Sequence, residues 1–377
     1  MMELGHQLRA HLAAPTVKAF AVVDGALFED CAERLQRAGL AHRSLYRRTA
    51  PPDLTAVGPY LVDLAHRPVS ADSAAIEPPP ETGDPNELAD RMAAEALAAY
   101  EAGDETGGGA FTDPFAPVPA DPNATIAALL GVIGDAPHGA VFWIGGPELT
   151  EPALWRHVRT LNRILVPSRF VPKEEPTDEP VSVVFRHADG NVLAEILPVL
   201  TERQFARILG PADAIMFSSP TYPTRSGATV REAHYPDGVP RQGAAMLALS
   251  VDQMEAIEEK RLQRFVRDLA EYLREVLPEH SRDMNDEELR RYARERVREL
   301  CAYGVFEEPP HYRWAFLQLY SGGGFGRSDY VRSVMTDPRP SPTRSERVMM
   351  LFQRIHEKID REAAEELTPG LTPELAR

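Results

Sequence analysis

Residues 18–23 form a short apolar run that stops at Asp24-Gly25, the pattern of a buried strand closed by a turn. Phe28, Cys31, Ala32, Leu35 and Ala38 then recur at helical spacing. Gly39 follows them and supplies the residue that tolerates a left-handed helix end. Residues 42–46 and 60–64 read as two more short strands, so the first half-sheet runs strand, helix, strand, strand. Further along, residues 126–133 predict a helix and 140–144 a buried strand closed by Gly145-Gly146-Pro147. Thr150 is placed to cap a helix whose buried face is Leu154, Trp155, Val158 and Leu161. Residues 164–166 and 181–185 are the next strand candidates, and the dipeptide Asp189-Gly190 reads as a turn.

Residues 200–211 carry the clearest local signal. Thr201 and Gln204 stand at capping-box spacing, and Gly210-Pro211 stops the helix. Residues 214–217 predict a last strand, and 220–241 a long connection rich in Pro, Gly and Tyr. From Ser250 the periodicity is helical. Ser250 with Gln253 makes a second capping box, and Leu262, Phe265, Val266, Leu269, Leu273 and Val276 line one face up to Pro278. Asn285 and Glu288 open another helix that Gly304 closes, and residues 312–320 a third that runs into Gly322–Gly326. After Pro338, the residues Val348, Leu351, Phe352, Ile355 and Ile359 give an amphipathic tail helix. Packing on its own chain is the ordinary use of such a face, and docking on a partner the sharper one.

The pattern thus predicts an α/β (α+β) N-terminal lobe with a mixed sheet, followed by an α-helical C-terminal lobe. Residues 16–220 would form the first, 221–249 a linker, 250–335 the second, and 336–377 the tail. Composition changes this picture at one place. The formal net charge is −16, and residues 70–125 hold twelve Asp or Glu against Arg91 alone, so −11 of the charge sits there. With its Pro and Gly clusters this stretch reads as an acidic insertion whose residues 87–102 could form a helix, either a solvated tether or an acidic docking site. A charge of this sign argues against a nucleic-acid partner. No run of about 18 apolar residues is present, and residues 1–14 carry Glu3, His6, Arg9 and His11 instead of a signal-peptide core. Membrane association is therefore not expected. Cys31 and Cys301 stand far apart, which suggests neither a zinc site nor a disulfide and fits a cytoplasmic protein without cofactors.

The local signatures of zinc peptidases, serine hydrolases and P-loop enzymes are missing. Gly322–Gly326 is the best phosphate cradle on offer, but it follows a helix, lacks the P-loop lysine, and fits a helix-ending turn better. His157 stands between Arg156 and Arg159, and His187 follows Arg186. A basic pocket is conceivable there, although pairing of Arg159 and Arg186 with Asp189 or Glu195 is the more ordinary use.

Two segments nevertheless carry a recognisable order: "WRHVRTLNRIL", and "VVFRHADGNVLAEILPVLTERQFARILGPADAIMF", both within residues 154–217. They resemble the effector adaptor or chaperone family of bacterial type VI secretion (DUF4123). In that family an H-[LV]-R helix leads to a strand ending near F-R-x-x-D, an L-P-x-L-T-x-x-Q helix and a G-P-[AV] stop. "AFAVVDGAL", "RSLY" and "GPYLVDL" agree near the N-terminus, as do "LSVDQMEAIEEKRLQRFVRDLAEYLREVLPE" and "YARERVRELCAYGV" later on. The departures are the acidic insertion, the connection "SRFVPKEEPTDEP" and the tail. The resemblance implies a non-catalytic protein that binds a toxic effector and helps load it onto the spike-tip protein. It brings no catalytic, cofactor or metal residues. The family-pattern residues it carries over are Asp24, Tyr60, Leu61, His157, Arg159, Phe185 and Arg186, which it implies hold the sheet together. The alternatives left open are an enzyme or toxin using the His157 and Arg159 region, and a structural spike or baseplate component.

Overall fold

The computed structural model describes residues 2–46, 57–67, 118, 119, 121–171, 177, 179–224, 226–241 and 245–367. The acidic stretch at 70–125, with the helix expected at 87–102, lies outside them except for 118, 119 and 121–125. The chain divides into two compact units, Met1–Ile257 and Glu258–Arg377.

The first unit is a six-stranded sheet covered on both faces by helices. Its strands are β1 (Lys18–Asp24), β2 (His42–Ser44), β3 (Pro59–Asp63), β6 (Ala140–Gly145), β9 (Ala214–Ser218) and β10 (Val230–His234), in the order β10-β9-β6-β1-β3-β2. Two small ribbons stand beside it, β4 (His66–Arg67) with β5 (Val118–Pro119) and β7 (Arg163–Val166) with β8 (Val181–Val184). Because side chains alternate along a strand, β1 feeds two cores at once. Phe20 and Val22 join Trp143, Ile215 and Phe217 under α4 (Glu151–Arg159), α5 (Gly190–Ile196) and α6 (Glu202–Leu209). On the other face Ala19, Ala21 and Val23 join Phe142 and Met216 under α1 (Met2–Leu12), α2 (Cys31–Arg37) and α3 (Pro122–Val132). This double cover explains why β6 and β9 are buried at every position and read as continuous apolar runs.

The fold class follows the expectation, with three differences inside it. Every pairing in the six-stranded sheet is antiparallel where a mixed sheet was expected. Continuous apolar runs suggest parallel strands, yet helices on both faces create the same run in an antiparallel sheet. Asp189-Gly190 is not a plain turn: the Asp189 carboxylate accepts from the Asn191 N–H at 2.9 Å and caps α5. Asx residues serve turns and helix caps through the same hydrogen bond, so the dipeptide alone does not separate the two. Within 220–241, Val230–His234 pairs with β9 as an edge strand. Its burial alternates, and the flanking Pro and Gly residues mask so short a segment.

The second unit is helical throughout its described residues. The division falls inside α7 (Val251–Val276), which the reciprocal Ser250 and Gln253 hydrogen bonds open as expected. After the short α8 (Pro278–Ser281) come α9 (Asp286–Ala302), α10 (Glu308–Tyr320), α11 (Gly324–Arg327), α12 (Asp329–Met335) and α13 (Arg344–Leu367). Trp314 of α10 is fully buried, and Val348 and Leu351 of α13 pack with it, Val331 and Met335. The apolar face of the tail helix is thus used within its own unit. Asn285 caps α9 through the Glu287 and Glu288 amides, each at 3.0 Å, while Glu288 reaches back to the Asn285 N–H. Asn285→Ala is expected to lower the stability of this unit by about 1 kcal/mol, measurable as a shift in its urea midpoint.

Candidate functional site

The C-terminal end of α4 forms one wall of a cleft of about 620 Å³. Thr150 caps the helix through the Ala153 N–H, Leu154 and Val158 anchor its inner face, and its last turn points Arg156 and Arg159 outward. Arg163, at the start of β7, completes the basic side. Leu45, Tyr46, Thr160, Asn162, Val184 and Met246 also line it; Val184, the cross-strand partner of Arg163, is 61% and Met246 48% exposed. Among the described residues no carboxylate lies within ion-pair distance of Arg156, Arg159 or Arg163. Beside the cleft, the Arg43 and Arg159 guanidinium groups lie 3.7 and 4.2 Å from the centre of the Trp155 ring. The Trp155 indole N–H donates to the Ser44 carbonyl at 3.1 Å, which fixes α4 against β2.

His157 faces away from this cleft. Its Nε2–H donates to the Ile208 carbonyl at 2.8 Å, so Nδ1 is the lone-pair nitrogen, and it lies 3.5 Å from the Arg207 guanidinium. Burial, with the charge of Arg207, pulls its pKa down to about 4. Arg207 is itself buried and is held by the Ala245 carbonyl and the Thr160 hydroxyl. His187 is completely buried beside Trp143 and Phe185, and burial takes its pKa down to about 3. Its Nε2 lies 3.0 Å from the Asn162 side-chain oxygen, which can only accept, so the proton sits on Nε2. Both rings are neutral near pH 7, and each is held by groups of the scaffold.

The other residues of the pattern lie elsewhere. Asp24 ends β1 with its carboxylate buried, accepting from the Ala26 N–H and pairing with Arg186 at 2.8 Å. Arg186 also reaches Asp189 at 3.5 Å, joining two strand and helix ends that are distant in sequence. Burial raises the Asp189 pKa, and the Arg186 charge opposes that rise. Glu195 accepts instead from the Tyr222 hydroxyl. Tyr60 packs edge-on to His42 in one core, whereas Leu61 and Phe185 belong to the other. Of the seven, only Arg159 lines the cleft. Arg163, Tyr46, Val184 and Met246 escape sequence reasoning because four separate chain segments bring them to the end of α4. Arg156 and Arg159, three residues apart on one helix, are the available signal.

The glycine loop holds no free cradle. The backbone N–H groups of Gly322 and Gly323 donate to the Leu319 and Gln318 carbonyls, and those of Gly324 and Phe325 to Ser321. The Gly326 N–H is taken by the Gln318 side chain. With φ of 58° and 80°, Gly322 and Gly323 make a helix-ending turn whose amides already have acceptors. Among the described residues no group of three or more His, Cys, Asp or Glu side chains is arranged to hold a metal ion, and no helix is long and apolar enough to cross a membrane.

Residues 19–99 match the family model described as "Domain of unknown function (DUF4123)". The match takes in β1, α2, β2, β3 and β4 and continues into the acidic stretch, while residues 154–217 lie beyond it. No curated protein and no solved structure matches the chain. The chain is thus similar to the DUF4123 family over residues 19–99, and the described part of that match is the first half-sheet.

Proposed function

We propose that this chain is a non-catalytic cytoplasmic adaptor that binds a type VI secretion effector and helps load it onto the spike-tip protein. The observation that carries the reading is the DUF4123 domain at residues 19–99, a family associated with such adaptors. The chemistry around it is in keeping. Of the two histidines of the family-pattern region His187 is buried and His157 half-buried, and both are neutral and engaged by scaffold groups, so neither is placed as a general base. The residues Asp24, Tyr60, Leu61, His157, Phe185 and Arg186 then serve to hold the sheet and its covering helices in register. The sheet unit and the helical unit give rigid supports for two protein partners.

Coexpression with the effector and spike-tip genes that neighbour this gene tests the proposal. A complex with the effector that survives affinity purification is the expected result. Failure to retain either protein would overturn the adaptor reading.

A further inference from the structure

We propose that the cleft at the end of α4 is the seat of an acidic segment of the effector that also carries an apolar side chain. This rests on the adaptor reading and names the chemistry of the contact. Arg156, Arg159 and Arg163 all line it without a carboxylate partner among the described residues. Several arginines of the same unit do find one, as Arg43 with Glu151, Arg186 with Asp24 and Arg241 with Asp213, and those without one, such as Arg9 and Arg203, line no cleft among those described. The contrast matters in a chain whose net charge is −16, where acidic groups outnumber basic ones 57 to 41. Unspent positive charge gathered at one concave place focuses the field there and favours a ligand of opposite sign.

The identity of the charged groups narrows that ligand. Planar guanidinium forks match carboxylates in pairs, and Arg163 is already held in place by the Ser182 hydroxyl and carbonyl at 2.8 and 2.7 Å. Val184, beside Arg163 on the paired strand, and Met246 add exposed apolar surface to the same cleft. A phosphate backbone has no use for that apolar surface, whereas a Glu- or Asp-rich peptide with a leucine-like side chain satisfies both the charge and the apolar surface. A polyanion attracted by charge alone would be repelled by the rest of this acidic chain, so binding of an acidic peptide reports on the cleft.

The test is fluorescence anisotropy on the full chain, using a fluorescein-labelled peptide of alternating Glu and Leu, its Lys and Leu counterpart, and a single-stranded oligonucleotide. The Glu peptide is expected to bind, to weaken with added salt, and to lose affinity by roughly tenfold or more in the R156Q/R159Q/R163Q variant. V184S/M246S, which changes only exposed side chains, is expected to weaken it as well. No binding to the wild-type chain, equal binding to the triple variant, or preference for the oligonucleotide would overturn the proposal. Binding that emerges only on deletion of residues 70–117 would also overturn it, since the chain's own acidic stretch would then be the occupant. Copurification separates the two levels. Retention of the effector by the triple variant removes the cleft as its seat and leaves the adaptor reading intact, whereas a wild-type chain that retains no effector removes the adaptor reading itself.

Discussion

Acidification from about pH 6.5 to about pH 5 is expected to destabilise the sheet unit by about 4 kcal/mol, through His157 and His187 together. An unfolded imidazole titrates near 6.5, whereas burial holds these two at about 4 and about 3 in the folded chain. Between those values the unfolded chain binds protons that the folded chain refuses. The stabilisation is therefore complete above about pH 6.5 and is lost as the pH falls toward the folded values. At pH 5 each ring contributes about 2 kcal/mol, and ordinary carboxylates, which titrate near 4, are still largely ionised. Urea midpoints followed by tryptophan fluorescence in a W314F background, where Trp143 and Trp155 supply the signal, measure the effect. His187→Gln should flatten the slope. A midpoint that stays constant across this window in the wild-type unit would contradict the assignment.

Gly190→Ala is expected to destabilise the same unit by about 3 kcal/mol or more. A Cβ at Gly190 would lie 2.1 Å from the Ser218 carbonyl oxygen and 3.2 Å from the Phe217 ring. The obstacle is the backbone of β9, which cannot swing aside as a side chain can, so α5 would have to lift from the sheet. That lift would disturb the Asp189 cap and the Asp24 to Arg186 pair beside it. Gly131→Ala is the matched control. It lies in α3 with nothing within 4 Å of the added carbon, so a gain of up to about 1 kcal/mol is expected from helix propensity. Thermal unfolding by circular dichroism distinguishes the pair: two variants with equal melting temperatures would refute the close-approach argument.

Much of the fold is legible because its signals are local. The Thr201 and Gln204 box, the Asn285 and Glu288 box, and the positive φ at Gly39, Gly210 and Gly304 all act within a few residues of where they are written. The α5 helix escapes because Asp189-Gly190 has the same grammar as a turn, and β10 because a half-exposed edge strand leaves too short an apolar pattern. The cleft is harder still. Arg156 and Arg159 are visible on one helix, but nothing in the sequence says that Val184 and Met246 line the same cleft. His157, which stands between two arginines in the sequence, proves to be turned inward, its ring so close to Gly210 that a Cβ there would approach within 2.3 Å.

Helix caps, buried strands and the change from an α/β to a helical unit near residue 250 were therefore decided by the sequence alone, since propensity, capping and burial periodicity act over one or two turns. The sheet order, its antiparallel pairing throughout, the Asp24 to Arg186 pair across 162 residues, and the gathering of three arginines with exposed apolar side chains around one cleft were decided only by the tertiary structure. Each of these joins segments distant in the chain, and long-range pairing depends on which faces are left to bury once the local elements have formed.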